Sequence, residues 1–155
     1  RAIGIIQRMN RSIRYQGAIL KDDHILLIQH REHASGRTYW VIPGGGRETD
    51  ETEEDCVRRE MLEETGLTVT VERLLLEEAG QSPGIYQWYR TYLCQVVSGE
   101  AKPGYEPEEE AAALYAITQV RWFDLRDPVS WVGELGQDKF TPPLVQRIRS
   151  VLGYA

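Results

Sequence analysis

Six stretches of the chain alternate loosely between apolar and polar residues, with the period of two that is typical of half-buried β-strands. They are residues 12–20, 24–30, 38–43, 68–78, 86–97 and 117–125. Only the polar residues Lys21, Asp22 and Asp23 separate the first two stretches, which therefore predict a hairpin. The third strand is predicted to end at Pro43, where a run of three glycines begins a loop.

Two other stretches have the spacing of a helix. Residues 53–65 lie between Thr52, which forms a capping box with Asp55, and Gly66, which suits the left-handed conformation that ends a helix. In residues 142–155, two prolines precede apolar residues at helical spacing. Strands followed by a helix, further strands and a final helix predict an α/β fold in which helices cover the faces of a mixed β-sheet.

The chain is 155 residues long and 41% hydrophobic, which predicts one domain over residues 1–155 with a sizeable core. It has no stretch of about 18 uncharged apolar residues, so no membrane span is expected. The first residue is Arg1 rather than Met, so the native N-terminus is left open. The residues given lack the charged, apolar and small-residue segments of a secretory signal, and we expect a cytoplasmic location. Cys56 and Cys94 do not make a disulfide framework, and we expect reduced thiols in or near the core.

The net charge of −6 is unevenly distributed. Residues 48–64 carry nine acids against two arginines, and residues 106–110 carry four more acids, which leaves about +5 for the rest of the chain. The acidic surplus would repel a phosphate backbone, so we expect no binding to a nucleic acid polymer by charge alone. Two acidic segments on a mildly basic body indicate cations held between carboxylates, and an anionic small molecule.

The acids at the start of the first predicted helix are ordinary, because negative charge is favourable at a helix N-terminus. Glu60, Glu63 and Glu64 need another explanation. Their i, i+3 and i+4 spacing places them on one face of the last two turns, where the helix dipole is already negative. Each contribution is unfavourable by only about 0.3–1 kcal/mol, but all have the same sign. A divalent cation would supply the missing partner.

The three glycines at residues 44–46 precede this helix, and their backbone can approach an ion closely. Taken alone, they could equally form a simple turn. Because they stand at a fixed distance from the acidic helix face, we expect them to offer a backbone carbonyl to the same ion. Oxygen ligands of this kind suit Mg²⁺, with Mn²⁺ as the alternative, and leave positions for water and substrate phosphate.

The spacing of these residues resembles the Nudix box of the Nudix hydrolases. The match to the box covers every defining position. It consists of Gly45, then Glu51 after five intervening residues, and then the run from Arg59 to Leu67 after seven more. Asp50 is a departure, because family members often carry glycine before the glutamate. The resemblance implies a Nudix-type α/β/α sandwich over essentially the whole chain, although only residues 45–67 are specific.

The resemblance also implies a role for each residue of the box. The implied metal ligands are Gly45, through its carbonyl, and Glu60, Glu63 and Glu64. Glu63 is alternatively the group that activates water. Arg59 would orient the cluster by pairing with Glu51, so the implied catalytic residues are Glu51, Arg59, Glu60 and Glu63.

Many members of the family take one more carboxylate from a loop near the last strands. The candidates here are Glu106, Glu108, Glu109 and Glu110. We favour Glu108 as a metal ligand, because it follows Pro107 at a distance before Trp122 that resembles related sequences. The alternative is a solvated acidic loop.

Candidates for substrate binding carry a weaker signal. Arginines can contact phosphates and aromatic rings can stack on a base. The residues selected are Arg37, Arg47 and Tyr39, and those also considered are Arg14, Tyr86, Trp88 and Tyr89. Each has a structural alternative, as a solvated arginine or a core aromatic. His30 and His33 are expected at the surface, because an ion that prefers oxygen leaves them no role.

The family resemblance implies Mg²⁺-dependent hydrolysis of a pyrophosphate bond in a nucleoside diphosphate linked to another group. A nucleoside triphosphate or modified nucleotide is favoured, with a dinucleoside polyphosphate or a nucleotide sugar as alternatives. A Nudix-fold module that binds a nucleotide without cleaving it would be expected to lack a glutamate of the box, and all are present. An acidic domain that binds only a protein partner is the third hypothesis. A homodimer is left open.

Overall fold

The computed structural model describes residues 12–80, 86–106, 109–135 and 138–154. The strands are β1 (Ile13–Lys21), β2 (His24–Glu32), β3 (Thr38–Val41), β4 (Gly44–Gly45), β5 (Thr68–Ala79), β6 (Trp88–Ser98) and β7 (Tyr115–Asp124). The helices are α1 (Glu53–Thr65), α2 (Glu109–Leu114), a 3₁₀ turn (Pro128–Trp131), α3 (Val132–Leu135) and α4 (Thr141–Leu152).

The predicted hairpin between β1 and β2 is confirmed. Lys21 pairs with His24, so the turn has two central residues, and Asp22 and Asp23 have φ values of 50° and 63°. Positive φ at both positions is the geometry of a type I′ turn, which matches the right-handed twist of the strands. Aspartate tolerates this conformation better than most residues because its short side chain can hydrogen-bond locally.

The sheet is mixed, as the order of elements predicted. Strands β3, β2, β1, β6 and β5 lie side by side, and only the β1–β6 pair is parallel. Strands β1 and β3 pair with the beginning and the end of β2, and β7 pairs antiparallel along its whole length. Strand β1 also pairs, at Tyr15 and Gln16, with the two residues of β4. The glycines predicted as a loop therefore begin as a short strand, because β1 offers them backbone partners.

Helices cover both faces of this sheet. Helix α1 packs Val57 and Met61 against Ile19 and neighbouring residues on one face. Helix α4 packs Leu144 and Ile148 on the opposite face. Cys56 and Cys94 are buried free thiols, as expected. In the described part of the chain, no helix has the length and apolar character needed to cross a membrane.

The two long helices match their prediction. Helix α1 begins after Thr52, whose hydroxyl accepts the Asp55 backbone N–H at 3.1 Å, and ends at Gly66 with φ 76°. Helix α4 carries its prolines in the first turn and ends at Gly153, earlier than the predicted residue 155. The short helices α2 and α3 and the 3₁₀ turn were not predicted, because they are too short to show a period.

Candidate active site

Helix α1 presents two of its glutamates to the interior of the protein. Glu60 and Glu64 are 2% and 1% exposed, and their i, i+4 spacing turns both toward β1 and β4. Glu63 lies beside them but is more open, with its side chain 17% exposed. Charged residues are almost never this buried without a partner. The pair is therefore the most unusual electrostatic feature of the helix.

The glycines of β4 permit a close approach to these carboxylates. The Gly44 backbone N–H donates to Glu64 Oε1 at 2.9 Å. A Cβ at Gly45 would overlap the carboxylate of Glu60, and a Cβ at Gly44 would meet the Cα of Gln16 at 2.6 Å. Only a backbone without side chains fits between β1 and helix α1. The glycines thus bring main-chain polar groups directly against buried carboxylates.

Arg59 holds the acidic side chains in a network. Its Nε and Nη2 donate to the two oxygens of Glu51 at 2.6 and 2.9 Å, which is a bidentate pair. The family resemblance implied this pairing. Its Nη1 donates to Glu60 at 3.2 Å and to Glu63 at 3.3 Å. Its Nη2 also donates to the carbonyl of Gly46. Glu60 therefore has a local partner, which the sequence did not reveal.

Burial sets the protonation of the two interior carboxyls. Burial raises the pKa of Glu60 to about 7, against the opposing effect of Arg59. Burial and the neighbouring Glu60 charge hold the pKa of Glu64 well above its usual range. Within the described part of the chain, Glu60 Oε1 is buried and has no hydrogen-bond partner. An oxygen in this position is costly unless something positive or a donor reaches it.

A further carboxylate reaches this cluster from the segment after β6. Backbone N–H groups of Lys102, Gly104 and Tyr105 donate to the last carbonyls of α1 at 2.9–3.1 Å. Glu106 follows immediately and lies within hydrogen-bonding reach of Glu64, while burial raises its pKa. The hydroxyl of Tyr115 donates to Glu106 Oε2 at 3.0 Å. The segment that caps helix α1 thus delivers Glu106 to the cluster.

The favoured loop candidate, Glu108, lies outside the described residues, so its role as a metal ligand stays a prediction. Glu109 is exposed at the start of α2. Among the described loop acids, Glu106 is the one that meets the buried carboxylates. Its position depends on backbone contacts with α1, which leave no signal in the sequence around it.

A cleft of about 250 Å³ opens beside the carboxylates. Its polar and aromatic lining is Arg14, Gln16, His30, Tyr39, Tyr86, Tyr89, Tyr115 and Phe140. Arg14 donates to Gln16 Oε1 at 3.1 Å and to the carbonyl of Ile42 at 2.8 Å. The charges of Glu64 and Glu106 act on Arg14 across the wall of the cleft. Arg14 therefore connects the aromatic cleft with the acidic cluster.

His30 is buried, so the expectation that it lies at the surface was wrong. It is 5% exposed and forms part of the cleft wall. Its ring stacks on Tyr115 with centroids 4.0 Å apart and meets Tyr39 edge-on at 5.4 Å. Burial, with the charge of Arg14, lowers its pKa to about 3. His33 is exposed, as expected.

The structure separates the three residues selected for substrate binding. Tyr39 lines the cleft. Arg37 is exposed, pairs with Glu32 at 3.2 Å and lies 4.7 Å over the ring of Tyr39. Arg47 donates to the backbone carbonyl of Glu51 at 3.1 Å, next to the box. The role of each in binding substrate stays a prediction.

Asp50 has a φ of 67°, in the left-handed region that favours glycine. This conformation gives a physical reason why glycine is common before the glutamate of the box. Aspartate is among the few other residues that adopt it at moderate cost. The departure therefore leaves the position of Glu51 intact.

Glu60, Glu63, Glu64 and Glu106 offer carboxylate oxygens, of the kind that hard divalent cations prefer. No three His, Cys, Asp or Glu side chains in the described part of the chain already form a metal-binding group. Arg59 pairs with Glu60 and Glu63, whereas Glu106 lies within hydrogen-bonding reach of Glu64. The site is thus an acidic cluster rather than a preformed cage.

Comparison with known proteins accounts for this arrangement. The sequence model of the NUDIX domain family matches residues 12–144 of this chain. The chain belongs to the Nudix hydrolase family. The helix with its buried glutamates and the glycines beside it are the Nudix box, and the predicted α/β/α architecture with a mixed sheet is confirmed.

Curated relatives with this Nudix domain include the NAD-capped RNA hydrolase NudC of Vibrio vulnificus. That protein is 36% identical over 122 residues, which cover 77% of this chain and 42% of the relative. The ADP-ribose pyrophosphatase of Methanocaldococcus jannaschii is 34% identical over 100 residues, covering 63% of this chain and 59% of the relative. The chain thus spans less than half the length of the NudC relative.

Solved structures share the fold at lower identity. A NUDIX hydrolase from Nitrosomonas europaea superposes with a TM-score of 0.69 and 21% identity, covering 93% of this chain and 89% of that one. An ADP-ribose pyrophosphatase from Streptococcus suis has a TM-score of 0.64 and 21% identity, covering 92% of both chains.

Proposed function

We propose that this Nudix protein hydrolyses the pyrophosphate bond of a nucleoside diphosphate linked to another group, with Mg²⁺ as the cofactor and Mn²⁺ as a substitute. The observation that carries the proposal is the buried pair of Glu60 and Glu64 against the glycines of β4. Two carboxylates in this position are unfavourable alone and become favourable beside a divalent cation.

The residues present fit such an ion. Glu60 Oε1 is buried without a partner among the described residues, and the Gly45 backbone lies against the same carboxylate. The proposed ligands are the Gly45 carbonyl and Glu60, Glu64 and Glu106; Glu108 is a further candidate, and so is Glu63 if it does not act as the base. When bound, the ion neutralises phosphate oxygens and acidifies the attacking water.

Glu63 is the proposed general base. It is the most open of the three glutamates on this face of α1, so water can reach it. Its pKa is raised by burial, which suits a carboxylate that accepts a proton. Arg59 holds Glu63 and Glu60 at fixed distances and is itself held by Glu51. Neither Arg59 nor Glu51 is proposed to contact substrate.

The aromatic cleft is the proposed site for the base of the nucleotide. Its tyrosines can stack on a planar ring, and Arg14 can meet a phosphate oxygen. Because Arg14 lies between the cleft and the acidic cluster, a base in the cleft would leave its diphosphate near the carboxylates. Tyr39 is proposed to contact the base, and Arg37 and Arg47 to meet phosphates at the rim.

The names of the relatives suggest substrates to test. One is an ADP-ribose pyrophosphatase and another is an NAD-capped RNA hydrolase, so ADP-ribose and NAD are reasonable additions to the favoured nucleoside triphosphates. The second name also bears on the prediction that no nucleic acid polymer binds. A capped RNA would place only its dinucleotide end in the cleft. Such binding does not require the protein surface to attract the phosphate backbone of the RNA.

The test is a panel of nucleotides incubated with the protein and Mg²⁺ in ¹⁸O-labelled water and followed by phosphorus NMR. The panel includes a nucleoside triphosphate, ADP-ribose, NAD, a dinucleoside polyphosphate, a nucleotide sugar and an NAD-capped oligonucleotide. We expect cleavage of at least one pyrophosphate bond, with ¹⁸O on one product phosphorus and no reaction in EDTA. Binding of a nucleotide without cleavage under Mg²⁺ or Mn²⁺ would instead support the non-catalytic module.

A further inference from the structure

Tyr115 joins the aromatic cleft to the acidic cluster. It is the first residue of β7, directly after helix α2. Its hydroxyl donates to Glu106 Oε2 at 3.0 Å, and its ring stacks on His30 with an interplanar angle of 19°. It also lines the cleft. One side chain thus contacts both a carboxylate of the cluster and the wall of the cleft.

The stack that holds the Tyr115 ring is anchored in the sheet. His30 lies on β2, where its backbone pairs with Tyr39 of β3 on one side and Ile117 of β7 on the other. Tyr39 meets His30 edge-on and Tyr115 covers it face-on. Aromatic contacts of these two geometries are favourable, so the Tyr115 ring has little freedom to move.

Glu106 needs such an anchor more than the other carboxylates do. The main chain before it is fixed by the hydrogen bonds of Gly104 and Tyr105 to helix α1, and its side chain lies within hydrogen-bonding reach of the Glu64 carboxyl. That contact is favourable only while one of the two carboxyls keeps its proton, and when both ionise, repulsion would turn Glu106 away. A hydroxyl donor on a rigid ring opposes that rotation, because a hydrogen bond to a carboxylate is among the stronger kinds.

We propose that Tyr115 is a positioning residue, which holds Glu106 beside Glu64 so that Glu106 can serve the hydrolytic site. This inference rests on the proposed function. Tyr115, which is stacked on the buried imidazole of His30, would then both form part of the cleft wall and fix the position of the Glu106 carboxylate.

The experiment compares Tyr115→Phe, Glu106→Ala and the double variant with the wild-type protein, using whichever substrate the nucleotide panel identifies. Tyr115→Phe keeps the ring and its stack but removes the hydroxyl. Tyr154→Phe is the matched control, because the Tyr154 hydroxyl also donates to a carboxylate, that of Asp23 at the β1–β2 turn. Thermal unfolding of all four variants checks that each remains folded.

We expect Tyr115→Phe to lower kcat by about 10- to 100-fold with little change in KM, as loss of a hydrogen bond to a charged group implies. In the Glu106→Ala background the same change should have no further effect, because Tyr115 acts through Glu106. Manganese titration followed by EPR should show weaker Mn²⁺ binding by Tyr115→Phe. Tyr154→Phe should match wild type in all these measurements.

Independent, multiplicative losses in the double variant would overturn the inference, as would wild-type kcat and Mn²⁺ binding in Tyr115→Phe. A rise in KM alone would also overturn it, because Tyr115 would then contact substrate rather than position Glu106. In each of these cases the wild-type protein remains active. Failure of the proposed function itself is distinct, since the wild-type protein would then cleave nothing in the panel.

Discussion

Glu64 is the residue of helix α1 whose burial opposes stability most clearly. Its carboxyl is buried, and its pKa is raised by burial and by the charge of Glu60. The Gly44 N–H donates a hydrogen bond to it but carries no positive charge to balance the carboxylate. A carboxyl whose pKa is higher in the folded state than in the unfolded state lowers the free energy of unfolding at pH values above its unfolded-state pKa, because the unfolded chain ionises there more readily. The position therefore costs stability in the absence of a cation.

Replacing Glu64 by glutamine separates the two effects. We expect Glu64→Gln to lower kcat by on the order of 100-fold or more, because the substitution removes a charged group proposed as a metal ligand. Without metal, the variant should be more stable by about 1 kcal/mol, or roughly 2–4 °C in Tm, since an amide oxygen can still accept from Gly44. Steady-state kinetics and thermal unfolding in EDTA measure both quantities.

Glu54→Gln is the control for that comparison, because Glu54 is exposed on the same helix. It should leave kcat unchanged and the metal-free Tm nearly so. A Glu64→Gln protein with wild-type turnover that still responds to Mg²⁺ would contradict the assignment of Glu64 as a ligand.

His30 makes stability depend on pH. Its pKa is about 3 in the folded protein against an ordinary 6.5, so the unfolded chain binds a proton more readily between these values. Stability contributed by this neutral imidazole is complete above about pH 6.5 and is lost as the pH falls toward 3. The groups packed around the ring are Arg14 of β1, Tyr39 of β3 and Tyr115 of β7.

Between pH 7 and pH 5, the free energy of unfolding should fall by about 2 kcal/mol more in the wild-type protein than in His30→Gln. Urea denaturation of both proteins at the two pH values measures the difference. The carboxyls of the acidic cluster titrate in both proteins and cancel in the comparison. Equal pH dependence of the two proteins would show that His30 titrates normally in the folded state.

At the scale of elements, helix α1 and the segment after β6 form one unit. The C-terminal carbonyls of α1 accept backbone N–H groups from residues 102, 104 and 105, in addition to the Gly66 N–H. A helix end leaves four carbonyls without partners in the helix, so this segment satisfies groups that would otherwise need water. The same contacts fix where Glu106 begins.

Gly104 makes this contact possible, because a Cβ there would overlap the backbone carbonyl of Glu63. Gly104→Ala should therefore push the segment away from α1, destabilise the protein by about 1–3 kcal/mol and reduce kcat as Glu106 moves. Gly133→Ala is the matched control, since a Cβ at Gly133 meets nothing within 4 Å. Urea denaturation and steady-state kinetics of both variants measure these effects. Equal stability and equal kcat of the two variants would show that the contact of this segment with α1 does not position Glu106.

At the scale of the whole molecule, the proposed binding of a divalent cation would be coupled to folding. A ligand that binds only the folded state stabilises it by about 2.7 kcal/mol at one hundred times its Kd. For a chain of this size that corresponds to a rise in Tm of roughly 5–10 °C. We expect this rise with Mg²⁺ or Mn²⁺, measured by thermal unfolding against EDTA.

Sodium chloride at matched ionic strength is the control for that shift, because salt also screens the repulsion among the carboxylates. Glu60→Gln/Glu64→Gln should show no specific rise. A wild-type Tm that is indifferent to both metal ions and to nucleotides would favour the hypothesis of an acidic domain that binds only a protein partner.

Local patterns were sufficient to predict much of this protein. The bounds of α1, its Thr52 cap and its Gly66 terminus follow from residues within one helix, as does the shared face of Glu60, Glu63 and Glu64. The hairpin follows from the short polar break formed by Lys21, Asp22 and Asp23 between two strands. These features depend on backbone geometry and on neighbours a few residues apart, so the sequence by itself determined them.

Only the tertiary structure decided which distant residues meet. Glu106 reaches Glu64 because the intervening chain returns to cap α1, and His30 is buried because β7 and β3 pair on either side of β2. Arg14 gains its place between cleft and cluster from its contact with the Ile42 carbonyl. Such placements arise from long-range strand pairing and packing, whose energies depend on the whole fold and therefore leave no local pattern in the sequence.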